Sequence, residues 1–258
     1  MPRVFVPGNV RWDGAMSRGF DAGRRLSSQA LAVWRTALEP WLGRAGTVLD
    51  LGAGTGRFSV LLAEWFGIEV IAVEPAAGMR DVAATSARHP KVAWVGGRAE
   101  RLPLRGEAAG AALLSNVLHH VADRPSCASE LRRVLRADAP VLIRSAFPGR
   151  LDGIALFDHF PEAKVVCEQF PGLEETIETF AAAGFELERI APVVAQTCAS
   201  LEELAARTRT RADTTLALMS DEAFAARLAA LERAAARETK PTPLFDTLDL
   251  LVLRRSTT

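Results

Sequence analysis

The 258-residue chain has no tyrosine, only three cysteines and four histidines, and a formal net charge of zero from 31 basic and 31 acidic residues. Each scarcity narrows the function. Cys127, Cys167 and Cys198 lie far apart, form no C-x-x-C pair and share no ligand spacing with His89, His119, His120 or His159, so no metal site is expected. Scattered single thiols fit a reducing compartment, which makes the cytoplasm the expected location. No run of ~18 apolar residues occurs, so no membrane-spanning helix is expected. Met1 to Val10 lack the basic start and apolar core of a secretory signal. A balanced charge gives no long-range field, which argues against nucleic acid and against anionic membrane surfaces as partners.

What the chain does have is apolar substance: 49% of its residues are hydrophobic, enough for one large domain or a domain with an insertion. It is organised around residues 47–63. Thr47-Val48-Leu49-Asp50-Leu51 is a short apolar run suited to a buried parallel strand. It breaks at Gly52, Gly54 and Gly56, then continues with Phe58, Leu61, Leu62 and Trp65 at helical spacing. Strand, glycine turn and helix in that order predict a nucleotide-binding βα unit. The pattern reads G-x-G-x-G, and Arg57 stands near where a dinucleotide fingerprint needs its third glycine. The acid at Asp50 suits a ligand carrying an ammonium group better than one carrying phosphates. A tight turn with no ligand is the plain alternative.

Val48-Leu49-Asp50-Leu51-Gly52-Ala53-Gly54-Thr55-Gly56 resembles the first motif of class I S-adenosylmethionine-dependent methyltransferases. The stretch Val73-Glu74-Pro75, with Met79 four residues on, is similar to the second motif. Gly96-Gly97-Arg98-Ala99-Glu100-Arg101-Leu102-Pro103 fits the family's adenine-edge segment at Ala99, Glu100, Leu102 and Pro103, but has Arg98 where an aspartate is usual. Leu118-His119-His120-Val121, after the strand ending at Ser115-Asn116, resembles the fourth motif of the small-molecule branch. Two departures stand near the next strands: Ala109-Gly110 replaces a Phe-Asp pair, and Asp138-Ala139 replaces a glycine pair.

Alternation of strands with helices predicts a doubly wound α/β domain. The resemblance implies a Rossmann-like seven-stranded sheet with the last strand antiparallel, an N-terminal helix and a helical cap. Residues 1–45 are expected as a helical lead-in, with helix over 17–42 ended by Gly43. Residues 46–146 are expected as the cofactor-binding core. Residues 147–258 are expected as the rest of the core, with Phe185 to Val194 and Leu248 to Leu253 as its strands. Cap segments fall at about 148–172 and 199–240. The first of these carries Phe157, Phe160, Phe170 and His159; the helices of the second are as well suited to a dimer surface, so monomer and homodimer both stay open.

The cofactor implied by the resemblance is S-adenosylmethionine. Asp50, Gly52, Ala53, Gly54 and Gly56 are expected at its methionine moiety. Glu74, about 20 residues past the glycine loop, is expected at the ribose. Pro75, Met79, Arg98, Ala99 and Glu100 are expected around the adenine, and Ser115 and Asn116 at the strand tip beside it. Arg24 or Arg25 is a candidate for the cofactor carboxylate, although basic residues on a solvated helix face are common. His119 is the candidate base for an oxygen or carbon acceptor, with His120 next and His159 third. The implied activity is methyl transfer to a small, partly hydrophobic acceptor of the secondary-metabolite kind, oxygen slightly ahead of carbon or nitrogen. Two rivals stay open: an NAD(P)-dependent oxidoreductase and a non-catalytic binding module on the same fold.

Overall fold

The computed structural model describes Gly23 and residues 26–257. The first strand, β1 (Thr47–Leu51), sets the pattern: its residues alternate between two buried faces. Val48 faces one apolar cluster and Leu49 the other, as a strand period of two requires. A strand covered on both sides has no polar face, which is why Val-Leu-Asp-Leu reads as nearly continuous apolar sequence.

The elements follow in the order α1 (Ser28–Leu42), β1, α2 (Arg57–Phe66), β2 (Glu69–Val73), α3 (Ala77–Ser86), β3 (Val92–Val95), β4 (Ala111–Ser115), α4 (Arg124–Val134) and β5 (Pro140–Ser145). Then come α5 (Ala155–His159), α6 (Pro161–Cys167), α7 (Leu173–Ala182), β6 (Phe185–Cys198), α8 (Leu201–Thr208), α9 (Thr214–Ala217), α10 (Asp221–Arg237) and β7 (Leu244–Arg255). The sheet has seven strands in the order β3-β2-β1-β4-β5-β7-β6. β1 to β5 pair in parallel, and β7 runs antiparallel between β5 and β6. This is the expected doubly wound sheet with its antiparallel last strand.

One face is covered by α4 and α7, where Leu131 and Phe180 meet Leu49, Leu114, Val141 and Leu251. The other is covered by α1 and α2, where Trp34, Leu38 and Leu62 meet Val48, Leu113, Leu142 and Val252. A third cluster lies off the sheet. It joins Phe157, Phe160, Phe170, Leu204, Leu216 and Leu231, so α5, α6, α8, α9 and α10 share one apolar core.

Several local expectations shift. Of the helix expected over 17–42, Gly23 is helical, residues 26–27 are not, and a new helix starts at Ser28, where Ser27 caps it by accepting from the Ala30 N–H at 3.0 Å; residues 17–22 and 24–25 lie outside the described residues. Gly43 ends it with an ordinary φ of −60°; its side chain is excluded instead by the Glu39 carbonyl, which a Cβ would meet at 2.8 Å. The aromatic cap segment after β5 forms the two short helices α5 and α6. β6 runs on to Cys198 and β7 starts at Leu244, because the two strands pair beyond the rest of the sheet. The replaced glycine pair is explained by backbone: Asp138 takes a left-handed φ of 63°, which aspartate tolerates better than most residues. Gly110 stands where a Cβ would meet the Ala45 carbonyl oxygen at 2.3 Å, so a side chain is excluded there.

Candidate active site

The C-terminal tips of β1, β4 and β5 face a cavity of about 230 Å³. Parallel α/β sheets place their ligands there, beyond the carboxyl ends of the strands where the order reverses. In this sheet β1 sits between β2 and β4, so the reversal falls at the glycine loop.

The loop is built by three glycines in the left-handed region, Gly52 at φ 72°, Gly54 at 59° and Gly56 at 87°. Two of them have a second reason to be glycine. A Cβ on Gly52 would lie 2.1 Å from Val117 Cγ2, and one on Gly56 would lie 2.5 Å from the Trp94 ring. The loop is therefore pressed between the β4 and β3 connections as well as bent. Gly52 and Ala53 donate to the Val73 carbonyl at 2.8 and 3.1 Å, which ties the turn to the tip of β2.

Asp50, the β1 acid, is almost fully buried and lines the cavity. Ser59, one turn into α2, donates to its Oδ2 at 2.6 Å. Burial pushes the Asp50 carboxyl up to about 6; the Ser59 bond opposes this and the Glu74 charge adds to it. A carboxylate held this way gains most from a cationic partner, because a nearby positive charge repays the desolvation.

Glu74 lies at the tip of β2 and is also buried. Its Oε2 accepts from the Gly54 N–H at 2.9 Å and its Oε1 from the Ala76 N–H at 2.8 Å. Burial raises its pKa, and the two backbone bonds and Arg80 pull it back. Glu74 is thus a brace for the glycine loop, and each oxygen keeps a further lone pair. Arg80, which sequence reasoning missed, donates to the Glu74 and Pro75 carbonyls at 2.7 and 2.8 Å and fixes the turn into α3.

The remaining expected residues divide into two groups. Ala53, Ser115, Asn116 and His119 line the cavity with Asp50, Gly52 and Gly54. Gly56, Glu74, Pro75, Met79, Arg98, Ala99, Glu100 and His120 do not. Met79 is buried on the inner side of α3. Arg98 is largely exposed and pairs with Glu100 at 3.4 Å, while Glu100 accepts from the Ala122 N–H at 3.1 Å. That pair closes the β3–β4 loop on itself. Arg24 lies outside the described residues.

β4 ends at Ser115, and Asn116 takes a left-handed φ of 54°, an uncommon conformation for a residue with a side chain. The short 3₁₀ turn Leu118–His120 follows. It sets the His119 ring flat on Phe170, centroids 4.1 Å apart and planes within 1°, with His120 4.1 Å away on a tilted plane. His120 turns toward the cap instead, where its Nε2 lies 3.1 Å from Thr214 Oγ1. Of the three histidine candidates, His119 lines the cavity; His120 and His159 do not.

The far wall falls within the two expected cap segments, of which the sequence singled out Phe157 and Phe170 but not the rest. It is made by Ile154, Leu156, Phe157 and Phe170 from the chain after β5, by Leu204, Arg207 and Thr208 from α8, and by Asp213 to Leu216 around α9. Arg144 of β5 is the largest omission. It is buried, lines the cavity, donates to Ser115 Oγ at 3.2 Å, and lies 4.3 Å from the Trp34 ring centroid. An arginine inside an otherwise apolar strand, Pro-Val-Leu-Ile-Arg-Ser, was the available signal.

A methyltransferase-domain family model matches residues 49–143, from the middle of β1 to the middle of β5. Residues 49–143 are thus similar to a methyltransferase domain. The chain is 40% identical over 105 residues to the biotin biosynthesis bifunctional protein BioHC of Cellvibrio japonicus, a match covering 40% of this chain and 20% of that protein. It is 37% identical over 113 residues to a demethylmenaquinone methyltransferase of Beutenbergia cavernae, covering 43% of this chain and 46% of that one. The matches span between 20% and 55% of the length of the curated relatives. Among solved structures, one described as a methyltransferase from an antibiotic biosynthesis pathway of Anabaena variabilis superposes with a TM-score of 0.71 at 22% identity. That superposition covers 88% of this chain and 99% of the other, so the likeness of fold reaches well beyond residues 49–143.

Proposed function

We propose that the protein transfers a methyl group from S-adenosylmethionine to a small, partly hydrophobic acceptor, with His119 as the base. One arrangement carries the reading: the glycine loop, the buried Asp50 carboxylate and His119 all border the cavity beyond β1 and β4. The donor set fits the cofactor. Asp50 matches an ammonium, Gly52 and Gly54 let a ligand approach the loop backbone without meeting a Cβ, and Glu74 has acceptor capacity left for ribose hydroxyls.

Bound there, the sulfonium supplies an already activated methyl group, so the chain's own task is alignment and proton removal. The Phe170 stack and the 3₁₀ turn hold the His119 ring in one plane at the cavity wall. From that position an imidazole takes the proton of an acceptor hydroxyl or acidic carbon as the methyl bond forms, and the proton leaves on the ring. The apolar and aromatic wall opposite keeps bulk water from competing. Oxygen is the acceptor atom this favours, since an amine nucleophile is already neutral in its reactive form.

The test has two parts. S-adenosylhomocysteine should stabilise the protein to heat and NADH should not; at ~100 times its dissociation constant a ligand adds about 2.7 kcal/mol. With an accepted substrate, His119→Ala should bind S-adenosylhomocysteine as the wild type does and lose turnover by about 10²–10⁴-fold, together with the ascending limb of the pH profile. Full turnover with an unchanged pH profile would remove His119 from the chemistry.

A further inference from the structure

We propose that Arg207, on cap helix α8, is the residue that recognises the acceptor, and that the acceptor carries a carboxylate. The inference rests on the methyl-transfer reading and adds the chemical class of its substrate.

Arg207 lines the cavity, and its hydrogen-bond partners among the described residues are neutral groups. Its Nε donates to the Gly23 carbonyl at 3.3 Å, and its Nη1 donates to the Thr197 carbonyl and to Cys198 Sγ at 3.1 Å. Burial pushes the Cys198 thiol up, so it stays uncharged beside the guanidinium. Among the described residues, Nη2 makes no hydrogen bond and no carboxylate lies within ion-pair distance of Arg207. The side chain is fixed on one edge and offers donors on the other.

The acids of the same wall are otherwise engaged. Asp213 Oδ1 caps α9 by accepting from the Thr215 N–H at 2.9 Å and its hydroxyl at 2.7 Å. Asp246 Oδ1 accepts from the Ala155 N–H at 2.9 Å; burial raises its carboxyl pKa, and the Arg207 and Arg144 charges pull it back without an ion-pair contact to Arg207. What this end of the cavity lacks is therefore an acceptor, and a charged one is worth roughly twice a neutral one to a guanidinium. Two nearby carboxyls make a dianion such as a phosphate ester a poor fit, while a singly charged carboxylate balances the site. Phe157, Phe170 and Leu216 supply the apolar surface for the rest of the molecule.

The experiment uses protein saturated with S-adenosylhomocysteine. Benzoate, salicylate and 1-hydroxy-2-naphthoate are titrated against their carboxamides, and affinity is read by calorimetry and melting temperature. The wild type should bind the acids at least tenfold more tightly than the amides. Arg207→Gln should erase that ratio with S-adenosylhomocysteine affinity within twofold of wild type. Arg207→Lys, which keeps the charge but not the fork, should retain part of it and also controls for folding. Equal binding of acids and amides, no binding of any acid, or a preserved preference in folded Arg207→Gln would each overturn the assignment. Failure of S-adenosylhomocysteine itself to bind would instead overturn the methyl-transfer reading.

Discussion

The two walls of the cavity are built by different rules. The strand-tip wall comes from nearly contiguous chain: β1, the glycine loop and the start of α2 supply it within residues 50–58, with Ser115 and Asn116 added from the neighbouring strand. It relies on backbone, through left-handed glycines and a loop braced to Val73 and Glu74. The cap wall draws on the segments around Ile154 to Phe170, α8, α9 and β7, nearly a hundred residues of chain. It relies on side chains placed by a separate apolar cluster. A backbone cradle tolerates little change and suits a constant ligand. A side-chain wall can be rewritten residue by residue and suits a variable one.

The largest expected effect falls on the backbone wall. Gly52→Val should abolish S-adenosylhomocysteine binding, because its Cβ meets Val117 at 2.1 Å and its φ of 72° is strained for a branched residue. Gly46→Ala is the control, since its φ of 71° carries the strain with nothing within 4 Å of the added Cβ. It should cost only about 1 kcal/mol of stability and leave binding intact. If both variants bind alike, the loop's shape does not matter to the ligand and the comparison fails.

A smaller effect is expected at the brace. Glu74→Ala should weaken S-adenosylhomocysteine by roughly 1.5–3 kcal/mol for each charged hydrogen bond lost, about ten- to a hundredfold. Part of that loss will come from the loop, because Glu74 also holds the Gly54 and Ala76 N–H groups. Adenosine should therefore lose affinity along with the full ligand. Calorimetry with both compounds checks this, and unchanged affinity for the two would remove Glu74 from the site.

The smallest effect is a pH dependence. The folded Asp50 carboxyl sits at about 6, above its ordinary 3.8, so the folded state holds a proton that the unfolded chain has already lost. Its contribution to the stability of the unliganded protein should fall as pH rises from about 4 to about 6 and stay low above that. Melting curves of wild type against Asp50→Asn should then differ little at pH 4 and favour the variant at pH 7. S-adenosylmethionine should reverse the order, because its ammonium repays the buried charge. A pH-independent difference between the two proteins would show that Asp50 does not titrate in this window.

Much of the sheet was legible from residues 47–145, because buried parallel strands, glycine turns and amphipathic helices each leave a local period. His119 was legible as a candidate because Leu118-His119-His120-Val121 resembles a family motif just past a strand, four residues beyond the end of β4 at Ser115. Glu74 was found by its offset from the glycine loop, but its bonds to Gly54 and Ala76 depend on how β2 turns into α3. Arg144 was passed over because an isolated arginine in a strand has no spacing signal; only its position between Ser115 and Trp34 makes it part of the cavity. α5 and α6 were missed because helices of five and seven residues are too short to show a period.

The sequence by itself determined the glycine cradle, the acid before it, the acid after β2 and the alternation that forces a doubly wound sheet. These are local facts, set by backbone sterics and by which strand faces must be buried. The cap segments and two of their aromatics were legible, but which of their polar side chains meet the cavity was decided only in three dimensions. Arg207 meets Thr197 and Gly23 across 10 and 184 positions, and His119 meets Phe170 across the whole of β5, α5 and α6. No local propensity encodes such meetings. They follow from one apolar cluster packing the cap helices over the strand ends, and that packing fixes which polar side chains are left facing the cavity.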